Sequence, residues 1–200
     1  MNPRILALLA LAPVLSLAAQ GTAPPAAEQI AAAVLPLPAE MREAATVMGY
    51  KEKGKLEVLR AGTNGMNCLA LYVMREDFHV ACYHKSLEPF MARGRELRAT
   101  GITKSEAVDS ARFAEIKSGK LKMPAAGALY SLTGKRAGFN PATNTVTSAS
   151  PLHVVYMPFA TAESTGISEK MSLIKPPAPF LMGSGTAKAH LMIVGSMTSP

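Results

Sequence analysis

An α+β fold with a largely antiparallel sheet is what the sequence predicts, and three observations predict it. Short β-rich segments follow one another from Ala45 to His84, two helix-like stretches occupy the middle of the chain, and β-rich segments return from Ala128 onward. Residues 45–200 are expected to form a single domain.

The N-terminus comes first. Arg4 precedes the apolar run ILALLALAPVLSL at residues 5–17, which has signal-peptide length, contains Pro13 and is too short to span a bilayer comfortably. Ser16 and Ala18 fit a cleavage before Ala19, and Ala19 with Gly21 offers a second before Thr22. Residues 1–18 are therefore expected to be a signal peptide, with no cysteine near the cut to carry a lipid anchor. No later stretch approaches the ~20 consecutive apolar residues of a spanning helix, so the expected mature protein is soluble and lies in the periplasm or the medium. Residues 19–44 are rich in Ala and Pro. Pro24, Pro25, Pro36 and Pro38 bracket at most a short helix around residues 28–35, and the stretch reads as a linker or an arm laid on the domain.

The domain opens with what reads as a four-stranded β-meander. Residues 45–50 lean to β, KEKG is a turn, and Leu56, Val58 and Arg60 alternate against Glu57 and Leu59. Asn64-Gly65 then predicts a tight hairpin, because both central residues of a type I′ turn need positive φ. Residues 66–73 form the third strand, a turn follows near Arg75-Glu76-Asp77, and FHVACYH at residues 78–84 is the fourth.

FHVACYH holds Cys82 between His79 and His84, and three readings compete: a metal site, a thiol nucleophile with its base, and half of a disulfide. Strand alternation puts Phe78, Val80, Cys82 and His84 on one face and His79 on the other, so His79 and Cys82 do not share a metal. A hairpin centred on Arg75 sets position 68 opposite position 82, within disulfide reach. The chain has two cysteines, and oxidation is the default for such a pair outside the cytoplasm. A Cys68–Cys82 disulfide is predicted, closing a loop of about 15 residues worth ~3 kcal/mol on the chain-entropy estimate.

After His84 the period changes. Ser86 reads as an N-cap, and Leu87, Phe90, Met91, Gly94 and Leu97 make one apolar stripe until Gly101. Thr103-Lys104-Ser105-Glu106 reads as a capping box that opens a second helix, closed by Gly119. Arg93, Arg95, Glu96 and Arg98 read as a solvated face. Beyond these helices, ALYSL (128–132), LHVVYMPFA (152–160) and AHLMIV (189–194) are β-rich. The long Gly/Pro/Ser/Thr-rich loops between them are where a binding site is expected.

The same half carries the remaining chemistry. His153 with Met157, and His190 with Met192, each share a strand face and would assemble a soft copper site if their strands paired suitably. Against this, Met is a common core filler. A hydrolase would use Ser164 or Ser184 with His153 or His190 and Glu163, but neither serine lies in G-x-S-x-G and nothing fixes the order of a triad. No catalytic, cofactor or metal residue is therefore assigned.

The 48% hydrophobic content is ample for a core, and Arg4 is the only charged residue of the expected signal, so the net charge of +7 belongs almost wholly to the mature chain. Apart from Arg93, Arg95 and Arg98 the basic residues are scattered, and there is no tryptophan. Such a chain lacks the footprint of a nucleic-acid binder; it suits weak electrostatic association with anionic envelope components.

LEVLRAGTNGMNC, SLEPFMARGREL, LKMPAAGALYSLTG, LHVVYMPFATAESTGIS and AHLMI together resemble a family of uncharacterised exported bacterial proteins over nearly the whole mature chain. The resemblance implies export and a single domain and transfers no catalytic residue. The expected function is that of an exported, soluble, non-catalytic protein whose role the sequence does not specify, ligand binding being one option. The alternatives are the His/Glu/Ser hydrolase and the periplasmic His/Met metal binder.

Overall fold

The computed structural model describes residues 23–52 and 54–196, so the expected signal peptide and both of its cleavage positions lie outside the described residues. In chain order the elements are α1 (Ala26–Ala33), α2 (Ala39–Arg42), β1 (Thr46–Tyr50), β2 (Leu56–Arg60), β3 (Met66–Leu69), β4 (Phe78–His84), α3 (Glu88–Ala99) and α4 (Ser105–Lys117). They continue as β5 (Gly127–Gly134), β6 (Phe139–Asn140), β7 (Thr145–Val146), β8 (Ser150–Tyr156), α5 (Ala162–Thr165), β9 (Phe180–Met182) and β10 (His190–Val194). Eight strands form one sheet in the order β2-β1-β3-β4-β5-β8-β10-β9, and β6 and β7 pair separately. All its neighbouring pairs are antiparallel except β1 and β3. The α+β class and the largely antiparallel sheet are as the sequence predicts.

Pairing fixes which side chains share a face. Val47, Cys68, Cys82, Tyr130 and His153 lie on one face; Met48, Leu69, Tyr83, Val154, Tyr156 and His190 lie on the other. The first face buries Ala32, Ala33 and Leu37 against Val47, Cys68, Val80 and Cys82. The second buries Leu87, Phe90 and Leu121 against Leu69, Tyr83, Val154 and Tyr156. The sheet is thus the middle layer, with α1 on one side and α3 and α4 on the other.

The predicted meander is corrected. β3 pairs with β1, in parallel, and not with β2. Asn64-Gly65 is part of a crossing over the end of β1, and only Gly65 of the two has positive φ. Asn64 is held by other partners. Its side chain donates to Met41 O at 2.7 Å and accepts from Met66 N at 3.0 Å, while the Thr63 and Asn64 amides donate to Ala44 O. Gly62 permits the crossing, since a Cβ there would fall 2.3 Å from Ala45 C and Thr46 N. The third strand is also shorter than predicted, ending at Leu69 before a 3-10 turn at Leu71–Met74.

The β3–β4 register is as predicted. Cys68 opposes Cys82 and the two form a disulfide, with Cα atoms 3.9 Å apart. It lies in the core beneath α1, where Ala33 O is 3.2 Å from Cys82 Sγ.

Within the Ala/Pro-rich stretch, α1 is laid against the sheet. Ala32 and Ala33 of α1 are fully buried, so this part of the stretch packs on the domain as an arm. The buried Gln29 explains its anchorage: its amide nitrogen donates to Pro24 O and Tyr50 O, and its amide oxygen accepts from Tyr50 N at 2.8 Å.

The middle helices form where the pattern places them, with Leu87, Phe90, Gly94 and Leu97 buried. The capping box does not form; α4 starts after Lys104 without a side-chain cap. The arginine face is more than solvated. Arg93 grips Glu115 and so ties α3 to α4, and Arg95 bonds Glu88 and Tyr83 OH. Buried Arg112 lies 3.6 Å over the Phe90 ring and donates to Phe90 O. The two helices meet where Gly94 leaves it room: a Cβ there would come within 2.9 Å of Arg112 Nη1.

Candidate functional site

The sequence-predicted chemistry is dispersed. β8 and β10 are neighbours, but His153 opposes Ile193 and His190 opposes Tyr156, which places the two histidines on opposite faces of the sheet. The His/Met cluster is not brought together. His153 is exposed and edges onto Tyr130, whereas His190 packs on the Tyr156 ring with centroids 5.3 Å apart. Ser164 serves the backbone: its hydroxyl accepts from Thr161 N and its amide donates to Thr161 Oγ1, a reciprocal cap on α5. Among the described residues no three His, Cys, Asp or Glu side chains are grouped to hold a metal. His79 faces away from the disulfide, bonded to Thr133 Oγ1, and His84 turns its Nδ1 to Ser86 at the helix entry.

A different site lies at the end of the sheet where β5 begins and β8 finishes. Met157 N bonds Ala189 O, Phe159 N bonds Thr186 O at 2.8 Å and Gly185 N bonds Ala160 O, so the turn after β8 is laced to the loop before β10. This lacing holds Phe159 at φ +65°, a conformation costly for a bulky residue. The ring nevertheless stays outside, 58% exposed.

Phe159 divides an apolar groove. On one side Phe113, Ile116 and Lys117 of α4 face Thr186 and Ala187 across a recess of about 450 Å³. On the other, Ile116, Leu121, Met123, Pro124 and Pro158 line one of about 430 Å³, with Lys122 at its edge. Lys117 and Lys122 are exposed.

Ion pairs fix the wall of the groove. Lys188 Nζ reaches Asp109 Oδ2 at 2.8 Å, joining the loop to α4 one helical turn before Phe113, and Arg112 bonds the other Asp109 oxygen. Burial alone would raise the Asp109 carboxyl, but the hydrogen bonds from Lys188 and Arg112 hold it below the usual carboxylate range. His190 binds Lys188 O through Nδ1 at 2.6 Å, and burial pushes its ring below the ordinary histidine range.

Sequence reasoning pointed to the long C-terminal loops and missed Phe159. Nothing in MPFA marks the phenylalanine as left-handed, because the conformation is imposed by hydrogen bonds to a segment nearly thirty residues later. No protein-family model, no curated protein and no solved structure matches this chain.

Proposed function

We propose that this is an exported, non-catalytic binding protein whose Phe159 groove takes the apolar chain of an anionic amphiphile such as a fatty acid. The observation that carries the reading is Phe159 itself. A large aromatic ring is held in a strained conformation and kept in solvent between two apolar recesses, and strain of that kind clusters at ligand clamps. Closing the ring over an acyl chain would cover apolar surface on both. Lys117 and Lys122 supply a cationic rim for an acidic head, and few polar groups lie inside to favour a polar ligand. Export is supported by the N-terminal apolar run and by the core disulfide, which suits an oxidising compartment.

Titration with a dansyl-labelled undecanoate tests the reading. Saturable enhancement and blue shift of the dansyl emission are expected, weakened at least tenfold in Phe159→Gly, and the K117E/K122E pair should lose the preference for the acid over the matching alcohol. Absence of a saturable signal overturns it.

A further inference from the structure

The chain between β9 and α5 presents a second apolar feature away from the groove. Leu173 is 98% exposed, Ile174 65% and Met171 60%, three large apolar side chains within four residues. Single exposed apolar residues are ordinary; a cluster at one loop tip is not.

The tip is built by its own hydrogen bonds. Leu181 N donates to Ser168 O at 2.8 Å and closes the base, in the manner of an Ω-loop. Ala178 N donates to Ser172 Oγ at 2.8 Å, and Lys170 N donates to Ser168 Oγ. Lys170 and Lys175 bracket the apolar residues, while the acidic Glu169 stands one residue farther toward the base.

We propose that residues 170–175 dock the protein on an anionic lipid bilayer, Met171, Leu173 and Ile174 entering the headgroup–acyl boundary while Lys170 and Lys175 meet acidic headgroups. The occupant follows from charge and shape. An apolar tip flanked by cations matches the interface of a negatively charged membrane, which takes apolar side chains at its boundary and attracts lysines at its surface. The whole chain, at net charge +7, is drawn the same way. The recesses about Phe159 are lined by residues outside 170–175, and an exposed tip of this kind lays its side chains against a surface rather than enclosing a small molecule. The inference does not depend on the groove, since Phe159 is not part of the loop.

The chain lacks tryptophan, so Leu173→Trp installs a unique reporter. Vesicles of phosphatidylcholine containing about one-third phosphatidylglycerol, an anionic surface of the kind that attracts basic segments, are expected to sediment the protein and to shift the Leu173→Trp emission to the blue. Binding should fall at least tenfold in L173S/I174S and in K170E/K175E, and at least tenfold on pure phosphatidylcholine, with the thermal unfolding midpoints unchanged because these side chains lie in solvent. The proposal is overturned if anionic vesicles do not bind the protein, or if L173S/I174S binds them as tightly as the parent. It is equally overturned if the loop variants abolish only a concentration-dependent dimer, which would assign the tip to a second copy. Loss of dansyl-undecanoate binding without loss of vesicle binding would overturn the groove alone.

Discussion

The side chain of Gln29 pairs with the backbone of Tyr50 as a neighbouring strand would, its amide accepting from Tyr50 N and donating to Tyr50 O. A helix is thereby sewn to the end of β1. Removing the amide in Gln29→Ala leaves buried polar backbone without its partner, which costs about 2–4 kcal/mol. For a chain of this size the melting temperature should drop by roughly 5–15 °C. Calorimetry reads the shift; a change within ~1 °C, well below one kcal/mol on the same scaling, would show that α1 is anchored by its alanines alone.

Non-reducing mass spectrometry should find no free thiol at Cys68 or Cys82. Both cysteines are fully buried, so C68A/C82A tests their contribution within the core. Loss of about 3 kcal/mol is expected from the opened loop, seen as a lower urea midpoint.

His190 and His79 set a pH window. Burial lowers both rings below the ordinary histidine value, with the Arg75 charge adding to the effect at His79. The unfolded chain therefore binds protons first as pH falls through ~6.5, so stability is full above that value and declines as pH drops through the folded values. The urea midpoint should fall as pH drops below ~6.5, and His190→Gln should reduce the decline without abolishing it, because His79 still contributes. A second decline below the ordinary aspartate range is expected from Asp109, whose folded value is depressed.

Phe159→Gly should separate stability from binding. Glycine adopts φ +65° without the cost borne by an L side chain, so the variant is expected to gain about 1 kcal/mol. It should at the same time lose acyl-probe binding. A variant that is destabilised would show that the ring is needed by the fold rather than by a ligand.

Local signals were legible and long-range ones were not. Cys68 and Cys82 were found opposite each other because hairpin symmetry about Arg75 needs no knowledge beyond the segment, and it survived the 3-10 turn inside the connection. Asn64-Gly65 misled because the dipeptide favours a tight turn by default, whereas here Met41 and Ala44, some twenty residues earlier, take up its hydrogen bonds. The Ala/Pro-rich stretch reads equally as a linker or as an arm laid on the domain, because it lacks the bulky apolar residues that would mark a buried face. Ala32 and Ala33 are small because α1 lies close over the disulfide strands. His153 and His190 were correctly placed on β-rich segments, but the faces they occupy depend on a pairing register that no local pattern specifies. The groove was legible only as long loops.

The crossing at residues 61–65 is the covalent link between α1 through β2 and the rest of the described residues. That unit, α1 through β2, joins the remainder chiefly along the β1–β3 seam and beneath α1. A second molecule offers the same β3 edge and the same cradle for α1, so the contacts of the seam and of α1 made within one chain are available between two. Concentrated protein that is briefly unfolded and refolded should consequently trade N-terminal segments through this hinge, giving an exchanged dimer, separable by size-exclusion chromatography, that keeps the β1–β3 seam and gives up the hydrogen bonds from Thr63 and Asn64 to Ala44 O and Met41 O.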